Sequence, residues 1–477
     1  MGQMSNAITQ HASTVARLTR RLDIYIVRCH FAEVALVDTT INTGAKRSLL
    51  PLLLFVLLFL GSGLYFQSQN VEYAFYQLPG HVAILPALIL AVWLHRAPLT
   101  QSIDVIIKGA GNSNIITMCL IYLLAGAFAS VATASGGVDA VVNAGLSIIP
   151  PAFILPGLFI IAALVSTAMG TSMGTIGALA PIAVGIANQA ELNPAIVAGV
   201  LLSGAMFGDN LSIISDTTIA ATRTQGANMA DKFKENIKIA LPAALLTILA
   251  YSLLTSDAPQ ISTEAYNWTG ILPYAAILVL AVLGLNVFVV LLLGIILAAL
   301  QGSLLADYAM SNLGKDIATG FANVQEIFLL AMLVSSLSEF IRQQGGLQWI
   351  SNQIQSFTAK LRLAGNKAQQ LAIAALAFIS NLCIANNTVA IVLTGDVSRN
   401  LAQQHQISPR RSASLLDIFA CISQGLVPYG AQALLLGASF GLSPWQVISH
   451  NYYCLILLIA ALAVIFLRQP QPDASAS

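Results

Sequence analysis

Long apolar segments constrain this chain more than any other feature of its sequence. A helix needs about 20 apolar residues to cross the hydrocarbon core of a bilayer, and segments of this length recur along the chain. Hydrophobic residues make up 57% of the sequence and charged residues 9%, whereas an ordinary soluble domain carries roughly 25% charge. The sequence therefore predicts an all-α polytopic membrane protein and argues against a soluble enzyme.

The apolar segments fall into two halves separated by a polar loop. In the first half, residues 48–256, they are Ser48–Phe66, Leu78–His95, Ile115–Ala134, Phe153–Asn188, Pro194–Phe207 and Lys238–Ser256, with an interfacial helix expected in Ser135–Pro151. In the second half, residues 271–467, they are Ile271–Leu305 (two helices split at 284–286), Val324–Arg342, Gln370–Gly395, Ser412–Phe440 and Gln446–Leu467. Residues 1–47 are expected to form a cytoplasmic extension, with an upstream mis-start of translation as the alternative, and residues 468–477 a disordered tail.

The two halves share an order of parts. Each contains a Gly-Gly turn, an interrupted apolar piece, a polar link with proline, and a helix broken by glycine and polar residues. The comparison pairs Ser172 with Asn386 at the first interruption and Asp209 with Gln424 at the second. Residue identity between the halves is low. The repeat therefore consists of a shared order of segments and not of shared residues, as in many transporters.

Each interrupted piece is predicted to be a re-entrant hairpin. As a single helix, Phe153–Asn188 would reach about 54 Å at 1.5 Å per residue, well beyond the ~30 Å hydrocarbon core. With the N-terminus inside and both pieces as hairpins, every Lys and Arg except Lys315 lies on the cytoplasmic side, as the positive-inside rule favours. Each half then has about five transmembrane helices plus one hairpin, and the odd number of crossings inverts the second half. The predicted architecture is two inverted repeats with broken helices at the centre.

Oxygen-bearing side chains cluster at the interruptions, where a carboxylate at lipid depth is costly. Such oxygens are the ligands that small hard cations prefer. Asp209 and Asp216 are the predicted Na⁺ ligands, and Gly208 predicts unwound backbone beside them. The candidate ion- or substrate-binding residues are Thr171, Ser172, Thr175, Asp209, Ser212, Ser215, Asp216, Thr217, Asn381, Asn386, Asn387, Thr388, Asp417 and Gln424.

Structural explanations compete for several of these residues. Hydroxyls of the first interruption also suit tight helix packing with bonds back to the helix. Asp216 also suits an N-cap of the following helix in cytoplasmic water, and Asp417 is also placed to pair with Arg410 or Arg411. These alternatives stay open at the level of the sequence.

Several function classes lack their signatures. The chain has no Walker A or nucleotide fingerprint, no nucleophile–base pair, no charged pore ring and no metal-ligand spacing among its five scattered cysteines. A pump driven by ATP, an enzyme, a channel and a cofactor are therefore not expected. The net charge of +1 gives no indication of nucleic-acid binding.

Two segments resemble a known family. The sequence from Gly170 to Thr175, Gly-Thr-Ser-Met-Gly-Thr, is followed by Gly208-Asp209-x-x-Ser212-x-x-Ser215-Asp216-Thr217-Thr218. Together they resemble the NhaC family of Na⁺/H⁺ antiporters, over roughly residues 48–467. The resemblance implies an inner-membrane cation/proton exchanger of the larger ion-transporter superfamily, with inverted repeats, paired hairpins and elevator-like alternating access. It implies functional roles for Asp209, Ser212, Ser215, Asp216 and Thr217, while Pro428–Gln432 departs from the tryptophan-asparagine type of sequence that many members have.

Two transport functions follow as hypotheses. The first is a multi-pass Na⁺/H⁺ antiporter of the bacterial inner membrane, in which Na⁺ and protons compete for one carboxylate site near the bilayer midplane. The alternative is a Na⁺- or H⁺-coupled transporter of an amino acid or small organic acid, because asparagine-rich tips also suit carboxylate or amino groups. The expected partners are Na⁺, H⁺, such a solute and the lipid bilayer; a homodimer is left open.

Overall fold

A computed structural model describes residues 45–69, 71, 77–213, 215–254, 268–283, 285–360 and 366–467. Within these ranges the chain forms helices joined by short connections, and no strand occurs. The extension predicted for residues 1–47 lies almost wholly outside the described residues, and the tail predicted for 468–477 lies wholly outside them.

The described residues of the first half form ten α-helices. They are α1 (Leu50–Ser68), α2 (Gly80–His95), α3 (Leu99–Ala110), α4 (Ser113–Ala134), α5 (Gly137–Ile148), α6 (Ile154–Met169), α7 (Ser172–Gln189), α8 (Pro194–Leu211), α9 (Asp216–Gln225) and α10 (Met229–Leu254). The interfacial segment predicted before the first interruption is helical, as α5. Helix α3 was not predicted, because its 12 residues are too short and too mixed to read as an apolar span.

The part of the second half that the structure describes also forms ten α-helices. They are α11 (Leu272–Val282), α12 (Val287–Leu305), α13 (Leu313–Gln343), α14 (Gly346–Lys360), α15 (Lys367–Ile384), α16 (Asn387–Gln404), α17 (Pro409–Leu426), α18 (Ala431–Phe440), α19 (Pro444–Ser449) and α20 (Tyr452–Leu467). The predicted split of Ile271–Leu305 into two helices is confirmed. The predicted single span Gln446–Leu467 is wrong, since the helix breaks at His450 and Asn451.

The helices have the lengths and surfaces of a membrane protein. Nine helical segments of the described chain are long and apolar enough to cross a bilayer. Large apolar side chains such as Leu57, Ile89 and Leu164 are more than half exposed, which is unfavourable in water and favourable against lipid tails. The prediction of an all-α, multi-pass membrane protein is confirmed.

Helix bounds repeat along the chain at a single spacing. Helices α7, α8 and α9 begin and end 215 residues before α16, α17 and α18, and the same spacing separates Met206 from Cys421, which bond across the two halves. Left-handed backbone recurs at this spacing in the pairs Gly170 and Ala385, Glu191 and Gln406, and Gly226 and Gly441. Residues 172–225 and 387–440 therefore follow the same order of helices and turns. The opposite orientation of the two halves across the membrane stays a prediction.

The register of the repeat differs by one residue from the sequence-based pairing at the hairpin tips. Thr171 caps α7 by accepting a hydrogen bond from a backbone N–H three residues on, and Asn386 caps α16 in the same way. Thr171 therefore corresponds to Asn386, and Ser172 to Asn387. The difference arises because capping geometry, which sets the register here, is shared by threonine and asparagine and is invisible in residue identity.

The first interrupted piece turns back on itself at its break. Leu158 of α6 and Ile182 of α7 line one apolar cavity of about 270 Å³, as do Ile154 and Ile186 near the far ends of the same helices. This places the start of α6 beside the end of α7, which is the arrangement of a hairpin. Whether the hairpin enters the membrane and leaves by the same side stays a prediction.

The second interrupted piece also turns back. Gln370, near the start of α15, accepts a hydrogen bond from Arg411 at the start of α17. Gly395, in the middle of α16, accepts one from Gln225, which in turn accepts from Ser412 beside Arg411. Since both arms reach the start of α17, α15 and α16 run in opposite directions.

Two predicted unwinding points are helical. Helix α8 continues through Gly208 to Leu211, and α17 continues through Gln424 and Gly425 to Leu426. A Cβ on Gly208 would lie 2.5 Å from the Ala163 carbonyl oxygen on α6. The glycine therefore permits the close approach of α8 to α6 rather than unwinding, and the break follows it.

We expect Gly208→Ala to destabilise the protein by about 1–3 kcal/mol, the usual cost of overpacking a tight interface. Gly61→Ala on α1 is the matched control, because a Cβ added at Gly61 would have nothing within 4 Å of it and alanine favours helix by up to about 1 kcal/mol. Melting temperatures of the two purified variants in the same detergent check this. Equal melting temperatures would show that α6 and α8 do not pack as described.

Candidate cation site between the two halves

Both hairpin tips and both helix breaks meet at one cavity of about 100 Å³. The first tip contributes Thr171 and Ser172, the last turn of α8 contributes Asp209, and the last turn of α17 contributes Gln424. The second tip contributes Asn386, Asn387 and Thr388. Segments that are far apart in the sequence thus supply oxygen-bearing side chains to one small volume.

A chain of hydrogen bonds joins the two halves across this cavity. Gln424 Nε2 donates to Gln432 Oε1 at 2.7 Å, Gln432 Nε2 donates to Ser172 Oγ at 3.0 Å, and Ser172 Oγ donates to Asp209 Oδ2 at 2.8 Å. Asp209 is only 8% exposed. Gln424 Oε1 is buried and has no hydrogen-bond partner among the described residues. The chain therefore begins at an unpaired carbonyl oxygen and ends at a buried carboxylate.

Many lining residues are equivalent under the repeat. The pairs, each at the spacing of 215 residues, are Thr171 and Asn386, Ser172 and Asn387, Met173 and Thr388, Asp209 and Gln424, and Thr217 and Gln432. The cavity therefore lies where the two copies face each other. Only one member of the central pair, Asp209, carries a charge.

The charge of the lining is entirely acidic. Asp209 and Asp216 are its ionisable members, and no Lys, Arg or His belongs to the lining formed by the described residues. Asp216 is exposed and is the first residue of α9, whereas the N-cap is Ser215, whose hydroxyl accepts a bond from the Thr218 N–H. The N-cap role considered for Asp216 thus belongs to its neighbour, and Asp216 lies at the mouth of the cavity.

Two asparagines hold the carbonyl groups at the ends of the broken helices. Asn236 Nδ2 donates to the Asn210 carbonyl oxygen at 3.1 Å, and Asn451 Nδ2 donates to that of Gly425 at 2.8 Å. The last carbonyls of a helix have no partner within it, and the bilayer core offers no water to replace one. The two contacts are equivalent under the repeat, and each stabilises one break.

A second polar cluster lies next to the cavity without lining it. Asp417 Oδ2 is 2.7 Å from Lys232 Nζ and accepts from Asn236 Nδ2 at 2.8 Å and Asn210 Nδ2 at 3.1 Å. Lys232 Nζ also donates to Thr218 Oγ1 at 2.7 Å. The lysine and aspartate side chains are each 1% exposed. Pairing with Arg410 or Arg411 was one of two alternatives left open for Asp417; in the structure its cationic partner is Lys232.

The structure brings together most of the predicted site residues. Those that line the cavity are Thr171, Ser172, Asp209, Asp216, Thr217, Asn386, Asn387, Thr388 and Gln424. Five others have different placements.

Three of these five form hydrogen bonds with backbone groups, and Asp417 belongs to the second cluster. Thr175 Oγ1 donates to the Thr171 carbonyl, Asn381 Nδ2 donates to the Ala420 carbonyl, and Ser215 caps α9. Ser212 is buried beside the break after α8. These side chains support the site from outside the lining.

Several residues that belong to these clusters were not predicted from the sequence. Gln432 links the halves, Asn114 and Thr117 of α4 line the cavity, and Lys232 and Asn236 hold Asp417. The repeat offered a signal for Gln432, because it is equivalent to Thr217, which is a predicted site residue. The other four lie on helices whose contact with the breaks is decided by tertiary packing.

Comparison with known protein families gives an independent result. Residues 31–256, which include the Asp209 segment and the first hairpin, match the model of the Na⁺/H⁺ antiporter family. This match spans just under half of the chain and shows that the chain is similar to members of the Na⁺/H⁺ antiporter family. The resemblance inferred from the glycine-threonine tip and the aspartate motif is confirmed. The family is one of transporters and not of enzymes.

Individual relatives of this chain are distant. It is 22% identical to the malate-2H⁺/Na⁺-lactate antiporter of Bacillus subtilis, over 75% of this chain and 82% of that protein. It is 24% identical to the Na⁺/H⁺ antiporter NhaC of Alkalihalophilus pseudofirmus, over 67% of this chain and 75% of that protein. Among solved structures it is similar to the YdaH transporter of Alcanivorax borkumensis, with a TM-score of 0.39, 15% identity, and coverage of 88% of this chain and 98% of that one.

Proposed function

We propose that this protein is a secondary active transporter that exchanges Na⁺ for protons at the Asp209 cavity by alternating access. The observation that carries the proposal is the buried Asp209 carboxylate, which shares a cavity with the Gln424 Oε1 atom, an acceptor with no partner in the part of the chain that the structure describes. A buried carboxylate without a basic partner is costly, and a bound cation or proton removes that cost. The amide and hydroxyl oxygens around it suit Na⁺, which prefers oxygen ligands.

Coupling follows from competition for one carboxylate. When Asp209 is ionised, the cavity attracts Na⁺, and Asp216 at the mouth raises the local cation concentration. When Asp209 is protonated, it has no negative charge to hold the cation. The bound proton then takes the place of Na⁺ at the carboxylate. If the site moves between the two sides of the membrane only when Na⁺ or a proton neutralises the carboxylate, the protein exchanges Na⁺ for protons. The site lies near the bilayer midplane in this proposal, between two oppositely oriented halves.

The charge of the cavity favours Na⁺ over a free organic anion. An organic acid needs a cationic or N–H-rich partner for its carboxylate, and the nearby Lys232 ammonium is 1% exposed and bonded to Asp417. The cavity volume of about 100 Å³ also suits a dehydrated ion with its side-chain ligands.

One observation favours a second candidate, a Na⁺- or H⁺-coupled transporter of an amino acid or small organic acid. Helices α7, α9 and α16 begin at the cavity, and helix N-termini attract negative charge. A solute bound together with Na⁺ would place its carboxylate at these helix N-termini, while the Na⁺ would bind to the acidic residues of the cavity. The name of the B. subtilis relative, which includes malate and lactate, agrees with this candidate.

Purified protein in liposomes separates the two candidates. With a preformed acid-inside pH gradient and no organic solute, we expect added Na⁺ to collapse the gradient at a rate that saturates with Na⁺ concentration, while K⁺ does not. Empty liposomes and liposomes with the Asp209→Asn variant are the controls. If Na⁺ alone leaves the gradient intact and an amino acid or dicarboxylate is required, the second candidate replaces the first.

The proposed location is the bacterial inner membrane, with the N-terminus in the cytoplasm. The distribution of Lys and Arg supports this orientation, since apart from Lys232, which is buried beside the cavity, all but Lys315 fall on the cytoplasmic side of the predicted topology. Cysteine labelling at residue 315 in intact cells, after removal of the natural cysteines, tests it. Labelling by a membrane-impermeant reagent is expected.

A further inference from the structure

We propose that the Lys232 ammonium occupies a second cation position, formed by Asp417, Thr218 and the Asn210 carbonyl, so that the protein carries a built-in cation beside its Na⁺ site. This position does not depend on Asp209 lining the transport cavity, although its effect on ion stoichiometry rests on the proposed function. The ligand that the position would accept in the absence of the lysine is a small monovalent cation, with Na⁺ as the probe.

The surroundings of the ammonium are those of a cation site. Lys232 Nζ is 2.7 Å from Asp417 Oδ2, 2.7 Å from Thr218 Oγ1 and 3.2 Å from the Asn210 carbonyl oxygen. These are a carboxylate, a hydroxyl and a backbone carbonyl, all of which are hard oxygen ligands. The carbonyl belongs to the last turn of α8, where helix carbonyls carry partial negative charge.

Two further buried oxygens at this position lack hydrogen-bond partners. Asp417 Oδ1 and Asn236 Oδ1 have none among the described residues, although Asp417 is 1% and Asn236 0% exposed. Unpaired buried acceptors are rare and costly. A single ammonium with three N–H groups cannot satisfy all of these oxygens, whereas a smaller spherical ion can attract them from any direction.

The repeat shows that packing alone does not require this ion pair. At the spacing of 215 residues, Leu202 is equivalent to Asp417 and Val447 to Lys232, and both are 0% exposed. The neighbouring contact is kept in both halves, as Asn236 with Asn210 and Asn451 with Gly425. The same location in the fold is therefore filled once by an apolar pair and once by a charged pair. Because a buried ion pair is usually no more stabilising than well-packed apolar residues, the charges call for a functional reason.

A fixed ammonium at this position would set the number of transported ions. With Lys232 in place, only the Asp209 cavity is open to Na⁺, even though two buried carboxylates lie close together. Removing the lysine side chain exposes Asp417 to whichever cation can reach it.

The experiment counts Na⁺ ions bound to purified protein by saturation with ²²Na⁺. We expect one per chain for the wild type and two for Lys232→Ala, a twofold rise. Lys232→Ala combined with Asp417→Asn is the matched control and should return to one. Lys232→Ala combined with Asp209→Asn should also bind one, which assigns the new ion to Asp417 and remains informative if the proposed transport function fails. Unchanged stoichiometry in Lys232→Ala, or two ions in the wild type, would overturn the proposal.

Loss of the lysine side chain also threatens folding. The melting temperature and the recovery of folded protein are therefore a second measurement. Binding of Na⁺ to the folded state stabilises it by mass action. We therefore expect the melting temperature of Lys232→Ala to rise more with Na⁺, relative to choline, than that of the wild type. If Lys232→Ala cannot be recovered even in high Na⁺ while Lys232→Met combined with Asp417→Asn can, then Na⁺ does not replace the ammonium and the proposal is wrong.

Discussion

Asp209→Asn is expected to reduce Na⁺-driven proton exchange at least about 100-fold. Without the Asp209 charge, the proposed Na⁺ loses its buried counter-charge, and losing one charge of a buried ion pair costs about 3–5 kcal/mol. Each 1.4 kcal/mol is a tenfold change in affinity. The asparagine keeps the size of the side chain and can still bond to Ser172, so the fold should survive. Initial rates of gradient collapse in liposomes, at equal amounts of inserted protein, measure the effect.

Asp216→Asn is the matched control for this experiment. Asp216 also lines the cavity, but it is exposed at the start of α9, where charge interactions are worth about 0–1 kcal/mol. We therefore expect at most a several-fold change, mainly in the Na⁺ concentration needed for half-saturation. Near-normal exchange by correctly inserted Asp209→Asn protein would remove Asp209 from the mechanism, whatever Asp216→Asn does.

The pH dependence of Na⁺ binding to the wild-type protein is a second test of the hypothesis that Na⁺ and protons compete for Asp209. If one proton and one Na⁺ compete for Asp209, lowering the pH protonates the carboxylate and weakens Na⁺ binding. The half-saturating Na⁺ concentration should then rise about tenfold per pH unit on the acid side, while the maximal binding stays constant. A half-saturating concentration that does not change with pH would contradict competition at a shared site.

Hydropathy was sufficient to predict the fold class because the lengths of membrane helices are set by bilayer thickness. The breaks were harder to predict, since glycine has two uses. At Gly170 the backbone is left-handed, with φ +69°, as a turn requires. At Gly208 the helix continues, and the missing side chain instead allows α6 to approach. Sequence alone does not distinguish a glycine needed for its backbone angle from one needed for its size.

The site could be predicted where its residues lie on the interruptions themselves. Asp209, Ser172 and Asn386 were found because polar residues within apolar runs are conspicuous. The partner of Asp417 was not found, because Arg410 and Arg411 are neighbours in sequence whereas Lys232 reaches Asp417 only through the packing of α10 against α17. Local sequence was therefore enough to predict residues that line the cavity of the proposed ion. Which carboxylate is paired with a lysine depends on tertiary packing.

Asp417→Leu is expected to destabilise the folded protein by about 3–5 kcal/mol, because it leaves the buried Lys232 ammonium without its carboxylate. Leucine is the residue that fills the equivalent position, at Leu202, so its shape suits the fold. The melting temperature in detergent should fall by several degrees, and Na⁺ should not restore it because the remaining charge is positive.

The double variant Asp417→Leu with Lys232→Val places at these two positions the residues that occupy the repeat-related positions, Leu202 and Val447. Replacing a buried ion pair with well-packed apolar residues is often neutral or stabilising, so we expect most of the lost stability to return. The coupling between the two substitutions in a double-mutant cycle then measures the ion pair itself. If the double variant is as unstable as Asp417→Leu alone, the two repeat-related locations do not offer equivalent packing, and the charges are required by the fold rather than by ion transport.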